Sequence, residues 1–140
     1  VMSWMFELDP RRFVLALDVR LDGTGIPRLA THGWQQTSTA TLWTLIERFM
    51  NVGLTHVLCT DIGRDGTLAG PNLTLYAEAL SRYPELHGQA SGGIAAARDL
   101  RSLSECGVAA AISGRALLEN KISPEELRPF LPNASSPASM

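Results

Sequence analysis

Apolar residues form short continuous runs that alternate with amphipathic stretches along the chain. The first run, residues 13–17, is closed by Asp18, which is typical of a strand buried on both faces of a parallel sheet. Residues 20–34 contain the turn residues Asp-Gly-Thr-Gly and a proline between short extended pieces. This stretch predicts a long loop that resembles a β-hairpin.

An amphipathic helix is predicted after this loop. Its apolar positions repeat at three- and four-residue spacing, at Leu42, Leu45, Ile46 and Phe49. Thr39 or Thr41 is available as the N-cap and Gly53 as the terminator. We therefore expect a helix of about three turns between them.

The same strand-to-helix alternation then repeats. Further strands are predicted over residues 55–62, 86–90 and 108–112. Helices are predicted after Asn72 (inner face Leu73, Tyr76, Leu80 and Tyr83), after residues 91–93, after residues 113–115 and after Ser123. Strand and helix alternate four times, which predicts an α/β fold of parallel units with right-handed crossovers. An open sheet and part of a barrel both fit, and both bind ligands at the carboxyl ends of the strands.

Length and charge narrow the class of protein. The net charge of −2, without a cluster of Lys and Arg, argues against nucleic-acid binding. No apolar run approaches the roughly 20 residues that cross a bilayer, and the first ten residues lack a signal-peptide pattern, so we expect a cytoplasmic protein. Residues 1–131 are expected to fold as one domain, and residues 132–140 to be a disordered tail. A complete eight-stranded β/α barrel needs about 200 residues or more, so this chain has room for about half of one.

Cysteine and histidine usage predicts no metal site. Cys59 and Cys106 are too few for a disulfide framework and are expected to be small buried hydrophobes. His32, His56 and His87 are widely spaced, and none has a partner at metal-ligand spacing.

Two serine–glycine segments form a matched pair of candidate anion-binding corners, Ser91-Gly92-Gly93 and Ser113-Gly114-Arg115. Each follows a predicted strand and opens a predicted helix, so free backbone N–H groups and the positive helix end point to a phosphate. The alternative is that the glycines only make tight turns. Neither segment is a dinucleotide fingerprint or a P-loop.

Three carboxylates lie on or just beyond the same predicted sheet edge. Asp18 interrupts an apolar run, which favours a role in a polar site. Asp61 is more simply explained as a turn residue. Asp65, in a glycine-rich loop, fits a surface turn and a catalytic acid equally well. Trp34 fits stacking on a planar ring and packing in the core or in a lid equally well.

Six segments, in order, resemble the ProFAR isomerase family of histidine biosynthesis. They are residues 15–20 (LALDVR), 31–34 (THGW), 57–62 (VLCTDI), 64–72 (RDGTLAGPN), 91–94 (SGGI) and 114–117 (GRAL). The cyclase subunit of imidazole glycerol phosphate synthase shares the RDGT and SGG elements, but the other segments look like the isomerase. The resemblance covers residues 13–118 and the second half of that family's barrel.

The resemblance implies a β/α barrel that opens the ribose of a phosphoribosyl substrate and converts an aminoaldose to an aminoketose, without metal or organic cofactor. By position, Asp65 matches the family's general acid, and Asp18 and Thr60 match supporting catalytic residues. Trp34 and Arg20 match substrate-binding positions. One of the family's two phosphate sites is matched by Ser91, Gly92, Gly93, Ser113, Gly114 and Arg115.

The sequence also departs from the family pattern. The first four strands, the general base on the first of them and the second phosphate site have no counterpart, and Ser113 replaces a usually apolar residue. We therefore expect a half-barrel with weak or no activity alone, which self-associates or pairs with the missing N-terminal half. Two alternatives stay open: a non-catalytic phosphate-binding or assembly module, and a bifunctional isomerase that also accepts phosphoribosylanthranilate.

Overall fold

The computed structural model describes residues 2–132, so residues 133–140 of the predicted disordered tail lie outside it. The elements are α1 (Met2–Glu7), β1 (Val14–Leu21), β2 (Pro27–Thr31), β3 (Gln36–Thr41), α2 (Leu42–Met50), β4 (His56–Asp61), α3 (Leu73–Arg82), β5 (His87–Ser91), α4 (Ala97–Cys106), β6 (Ala110–Ile112), α5 (Arg115–Leu118) and α6 (Pro124–Leu127). Single 3-10 turns cover Pro10–Arg12 and Arg128–Phe130.

All six strands belong to one sheet, in the order β3-β2-β1-β4-β5-β6. Strands β1, β4, β5 and β6 are parallel, and each lies beside the next parallel strand along the chain. A doubly wound open sheet reverses its strand order at a switch point, whereas a barrel adds each strand beside the last. The order excludes the open sheet that periodicity alone left possible and confirms the half-barrel that the resemblance implies: the chain is half of a (β/α)8 barrel.

The predicted hairpin is confirmed, and the structure extends it by a strand. Strand β2 runs antiparallel to β1, and β3 runs antiparallel to β2. The turn after β1 is organised by Asp22, whose carboxylate accepts hydrogen bonds from the Thr24 hydroxyl (2.7 Å), the Ile26 N–H (3.0 Å) and Arg28 Nε (2.7 Å). These bonds hold the pKa of Asp22 well below its usual range.

Helix α2 follows directly from β3 because Thr41 ends the strand and caps the helix. The Thr41 hydroxyl accepts from the Thr44 N–H, and the Thr44 hydroxyl accepts from the Thr41 N–H, both at 3.2 Å. Thr41, not Thr39, is therefore the cap. Beyond the helix, Gly53 adopts φ +92° and donates its N–H to the Met50 carbonyl at 2.9 Å, as predicted for a terminator.

The core lies between one face of the sheet and the helices. Leu17, Val19, Val57, Cys59 and Ala90 face the helices and pack with Leu42, Ile46, Leu75, Tyr76, Leu100 and Leu103. On α3, Leu75 is buried while Leu73 is exposed, so the predicted inner face was wrong at Leu73. Leu73 is the first residue of α3, directly after the Asn72 cap, and the buried face of the helix begins at Leu75 and Tyr76.

The other face of the sheet, here called the open face, carries alternate residues of the parallel strands. Val14 is 50% exposed and Ile112 is 47% exposed, although both are apolar strand residues. The prediction that β1 is buried on both faces is therefore wrong, because within residues 2–132 no element covers the open face. In a complete barrel this face would point into the closed interior.

Candidate functional site

A row of side chains crosses the carboxyl end of the open face. Strand pairing sets Asp18 opposite Thr60, Thr60 opposite Ser91, and Ser91 opposite Ile112. Neighbouring strands are about 4.8 Å apart, so residues opposite each other share one face and lie side by side. The structure thus brings together three residues that the sequence predicted for the site, Asp18, Thr60 and Ser91.

Trp34 reaches this row from the turn between β2 and β3. Its indole Nε1 donates to Asp18 Oδ2 at 2.7 Å, and Arg20 Nη2 donates to the Trp34 carbonyl at 3.4 Å. Trp34 has φ +71°, a left-handed conformation that costs a bulky residue about 1–2 kcal/mol. The indole remains 39% exposed. Asp18, Arg20 and Trp34 therefore form one polar cluster that presents an accessible aromatic ring.

The first corner, residues 91–93, is held by a buried tyrosine. The Tyr76 hydroxyl donates to the Ser91 carbonyl at 2.7 Å and accepts from the Ser91 N–H at 3.2 Å. Burial raises the pKa of Tyr76, which keeps the hydroxyl neutral and able to donate. The sequence indicated Tyr76 only as a core residue, because its hydroxyl partner is fifteen residues away.

Glycine is required at this corner because other backbone lies against it. Gly92 and Gly93 have φ values of +99° and +80°. A Cβ on Gly92 would lie 2.7 Å from the Asp61 carbonyl oxygen, and one on Gly93 would collide with the Gly70 carbonyl. The Gly70 N–H donates to the Gly93 carbonyl at 2.8 Å. The glycine-rich segment 63–71 is here called the acid loop because it carries Asp65. Its backbone therefore packs directly against the first corner.

Asp61 fixes both ends of the acid loop. This buried side chain, 2% exposed, accepts from the Gly63 N–H at 2.9 Å and from Asn72 Nδ2 at 2.8 Å. Asn72 in turn caps α3 through a 3.1 Å bond from the Leu75 N–H. The Asp61 carbonyl accepts from the Asp65 N–H at 3.0 Å. The bond to Gly63 agrees with the interpretation of Asp61 as a turn residue, and the bond to Asn72 adds a role the sequence did not indicate.

The two corners and the acid loop surround an open cavity of about 260 Å³. Its lining comprises Asp65, Gly66, Leu68, Ser91, Gly92, Gly93, Ile94, Ile112, Ser113, Gly114 and Arg115. Within residues 2–132, the backbone N–H groups of Gly92, Gly93, Gly114 and Arg115 donate no hydrogen bond to the protein. The Ser113 hydroxyl is buried and has no partner among the described residues. Unused donors on two sides of one cavity suit a bound oxyanion.

The helix ends contribute less to this cavity than the sequence predicted. Helix α4 begins at Ala97, and the Asp99 carboxylate accepts from the N–H groups of Ala95 (2.8 Å) and Ala96 (3.0 Å). The expectation that the first corner opens directly into a helix was therefore wrong, because the chain needs residues 94–96 to turn into α4. The second corner does open into α5, which has only four residues. The free donors that line the cavity are therefore loop amides.

Two histidines that are distant in sequence meet at the opposite end of the sheet. The His56 and His87 rings stack with centroids 4.8 Å apart, since parallel pairing sets these residues opposite each other. In the part of the chain that the structure covers, no three His, Cys, Asp or Glu residues cluster as metal ligands would. Cys59 is buried as expected, and burial together with Asp61 and Asp18 raises its pKa to about 12. Cys106 is only partly buried.

Comparison with known proteins decides the family. A family model described as "Histidine biosynthesis protein" matches residues 1–123. The chain belongs to this family. Among residues 2–132, no helix has the length and hydropathy needed to span a membrane.

The chain is also similar to isomerases from several bacteria. It is 51% identical over 126 residues to the phosphoribosyl imidazole-4-carboxamide isomerase, or ProFAR isomerase, of Klebsiella pneumoniae, covering 90% of this chain and 51% of that protein. The isomerase of Aeromonas salmonicida is 52% identical over 123 residues, covering 88% and 50%. This member of the family thus spans about half the length of the curated relatives it matches. The resemblance to ProFAR isomerase is confirmed.

Proposed function

We propose that this chain provides one half of the active site of a ProFAR isomerase. The reaction converts the aminoaldose ProFAR to the aminoketose PRFAR by an Amadori rearrangement. The observation that carries the proposal is the cavity in which Asp65 shares a wall with the free amides of Gly92, Gly93, Gly114 and Arg115. One phosphate of the substrate occupies these amides, and its ribose extends along the row toward Asp18.

The residues of this half then act on the ribose in turn. Asp65 donates a proton to the ring oxygen as the bond from that oxygen to C1 breaks. Asp18 and Thr60 line the path of the opened sugar, and Trp34, fixed by its bond to Asp18, packs against the substrate. The base that removes the C2 proton belongs to the other half. The chain alone therefore binds phosphate compounds but turns over very slowly or not at all.

The partner of this half is a complementary N-terminal half-barrel. The relatives are about twice as long as this chain, and the open face lacks a cover within residues 2–132. Beside β6, a groove of about 600 Å³ is lined by apolar residues that include Leu103, Leu117 and Phe130. Within residues 2–132 no further strand pairs with the outer edge of β6, and in a closed barrel that edge would pair with the other half. The exposed Val14 and Ile112 would then become interior positions.

Complementation tests the proposal. The chain is mixed with the N-terminal half of the Klebsiella pneumoniae relative, and the conversion of ProFAR to PRFAR is followed. We expect turnover only in the mixture. Asp65→Asn should abolish it while the phosphate affinity stays within about twofold, because the amides are untouched. Wild-type turnover by the D65N mixture would refute the assignment of Asp65.

A second candidate function is a phosphate-binding half-barrel that assembles with other chains without catalysis. The observation that favours it is the uncovered apolar surface at Val14 and Ile112. It predicts phosphate binding and a dimer in light scattering, with no turnover in any mixture. A bifunctional isomerase would also convert phosphoribosylanthranilate in the complementation assay. The cytoplasmic location remains a prediction from the sequence.

A further inference from the structure

The side chain of Arg115 bridges the second corner and the acid loop. Its Nη1 donates to the Gly66 carbonyl at 2.5 Å, across 49 positions of sequence. Its Nε donates to Glu119 Oε1 at 2.6 Å, one helical turn further along. Glu119 thereby fixes the plane of the guanidinium so that Nη1 points to Gly66. The same residue lines the anion cavity, and within residues 2–132 its backbone N–H donates no hydrogen bond to the protein.

This bridge reaches the exposed tip of the acid loop. The base of the loop is fixed by Asp61, and its far end by the bond from Gly70 to Gly93. The tip at Asp65 and Gly66 is exposed, and a Cβ on Gly66 would have no atom within 4 Å. Among the hydrogen bonds of residues 2–132, the bond from Arg115 is the one that joins this tip to the second corner.

We propose that Arg115 is a positioning residue that couples phosphate binding at the second corner to the placement of Asp65. The inference rests on the proposed function and adds how its phosphate site and acid communicate. A phosphate held by the amides of Gly114 and Arg115 immobilises the start of α5. The guanidinium then holds Gly66, and with it the adjacent Asp65, over the cavity. Bound phosphate therefore stabilises the bridge and the placement of the acid that it holds.

Thermodynamic linkage makes this coupling measurable. If the bridge favours the arrangement of amides that binds phosphate, phosphate must favour the bridge by the same factor. The Arg115 side chain is 55% exposed, so the bond is worth the lower part of the range for charged hydrogen bonds. We expect phosphate to slow hydrogen exchange at the tip of the acid loop by about three- to tenfold.

The experiment uses the full chain and inorganic phosphate as the probe. Hydrogen exchange of residues 63–70 is measured with and without saturating phosphate in the wild type, R115M and R82M, and phosphate affinity is measured by calorimetry. R82M is the matched control, because Arg82 forms a similar 2.7 Å pair with Glu78 on α3, away from the cavity. The wild type and R82M should show phosphate protection of the tip. R115M should bind phosphate about three- to tenfold more weakly and show no protection of the tip.

The outcomes separate this inference from the proposed function. Equal protection of the tip in R115M and the wild type would overturn the role of Arg115 and leave the phosphate site intact. Phosphate binding without protection in the wild type would do the same. Absence of phosphate binding in the wild type would overturn both proposals. In the complementation assay, R115M should lower kcat more than it raises KM, with partial recovery in R115K, whereas a purely structural role would lower the amount of folded protein only.

Discussion

Removing the Asp61 carboxylate should release both ends of the acid loop. Asp61→Ala leaves the Gly63 N–H and the Asn72 amide without the acceptors they have at 2.9 Å and 2.8 Å. Hydrogen bonds to a charged acceptor contribute about 1.5–3 kcal/mol each, so two of them predict a loss of about 3–6 kcal/mol. That is a large fraction of the roughly 5–15 kcal/mol that stabilises a typical domain.

A pair of isosteric variants isolates the bond between positions 61 and 72. In Asp61→Asn, a side-chain amide donor faces the Asn72 amide donor, and a flip of Asn72 would sacrifice the cap on Leu75. We expect this variant to lose about 1–3 kcal/mol. In the double variant D61N/N72D, the new carboxylate at position 72 accepts from the new amide at position 61 and also caps α3. Much of the lost stability should return.

The assay is urea unfolding followed by circular dichroism, at one fixed protein concentration because association shifts apparent stability. A free energy of unfolding for D61A within about 1 kcal/mol of the wild type would refute the reasoning, since that loss is smaller than one charged hydrogen bond. A D61N/N72D double variant that is no more stable than D61N would also refute it.

Three further changes test single contacts. Thr41→Ala should cost about 1 kcal/mol of unfolding free energy by removing the α2 cap, with Thr39→Ala near zero, and equal losses would contradict the cap. Gly93→Ala should destabilise by about 1–3 kcal/mol through its positive φ and the clash with the acid loop, whereas Gly23→Ala, where a Cβ meets nothing within 4 Å, serves as the control. The pKa of Cys59 rises from 9.0 to about 12 on folding. As pH rises, the unfolded chain therefore loses this proton first. The free energy of unfolding should be constant below about pH 9 and fall above it, and the urea midpoint measures this fall. The fall should be less steep in Cys59→Ala.

Local patterns in the sequence were enough to predict most of the elements. The spacing of apolar residues in α2 and the side chains able to cap helices are properties of neighbouring residues. Strand β3 was missed because Gln36–Thr41 is polar, although its three threonines are a β-branched signal. Periodicity alone could not predict the order of the parallel strands, since right-handed crossovers are common to open sheets and barrels, and the family resemblance supplied the barrel. The expected half-barrel implies an uncovered inner face, whereas the apolar run alone predicted β1 as buried on both faces, because burial depends on what covers a strand.

In the candidate site, too, the sequence predicted some positions, and other contacts are seen only in the structure. Asp18, Thr60 and Ser91 could be placed at one edge because the carboxyl ends of parallel strands coincide. Which of these residues are direct neighbours depends on the register of the strand pairing. The register between β1 and β4 sets Asp18 beside Thr60, and the register between β4 and β5 sets His56 beside His87. The contacts from Asn72 to Asp61 and from Arg115 to Gly66 join residues whose sequence neighbourhoods carry no sign of each other. Such contacts follow from the packing of loops, which propensity does not encode.

The most direct test of the account is a titration of the 15N-labelled chain with ribose 5-phosphate, followed by amide chemical shifts. The phosphate is proposed to bind the amides of Gly92, Gly93, Gly114 and Arg115. These four signals should therefore shift together along one saturation curve. Their shifts should exceed those of the Gly23 and Gly107 amides, which lie outside the cavity lining. Shifts confined to one corner, or spread over surfaces remote from the cavity, would contradict a shared oxyanion site.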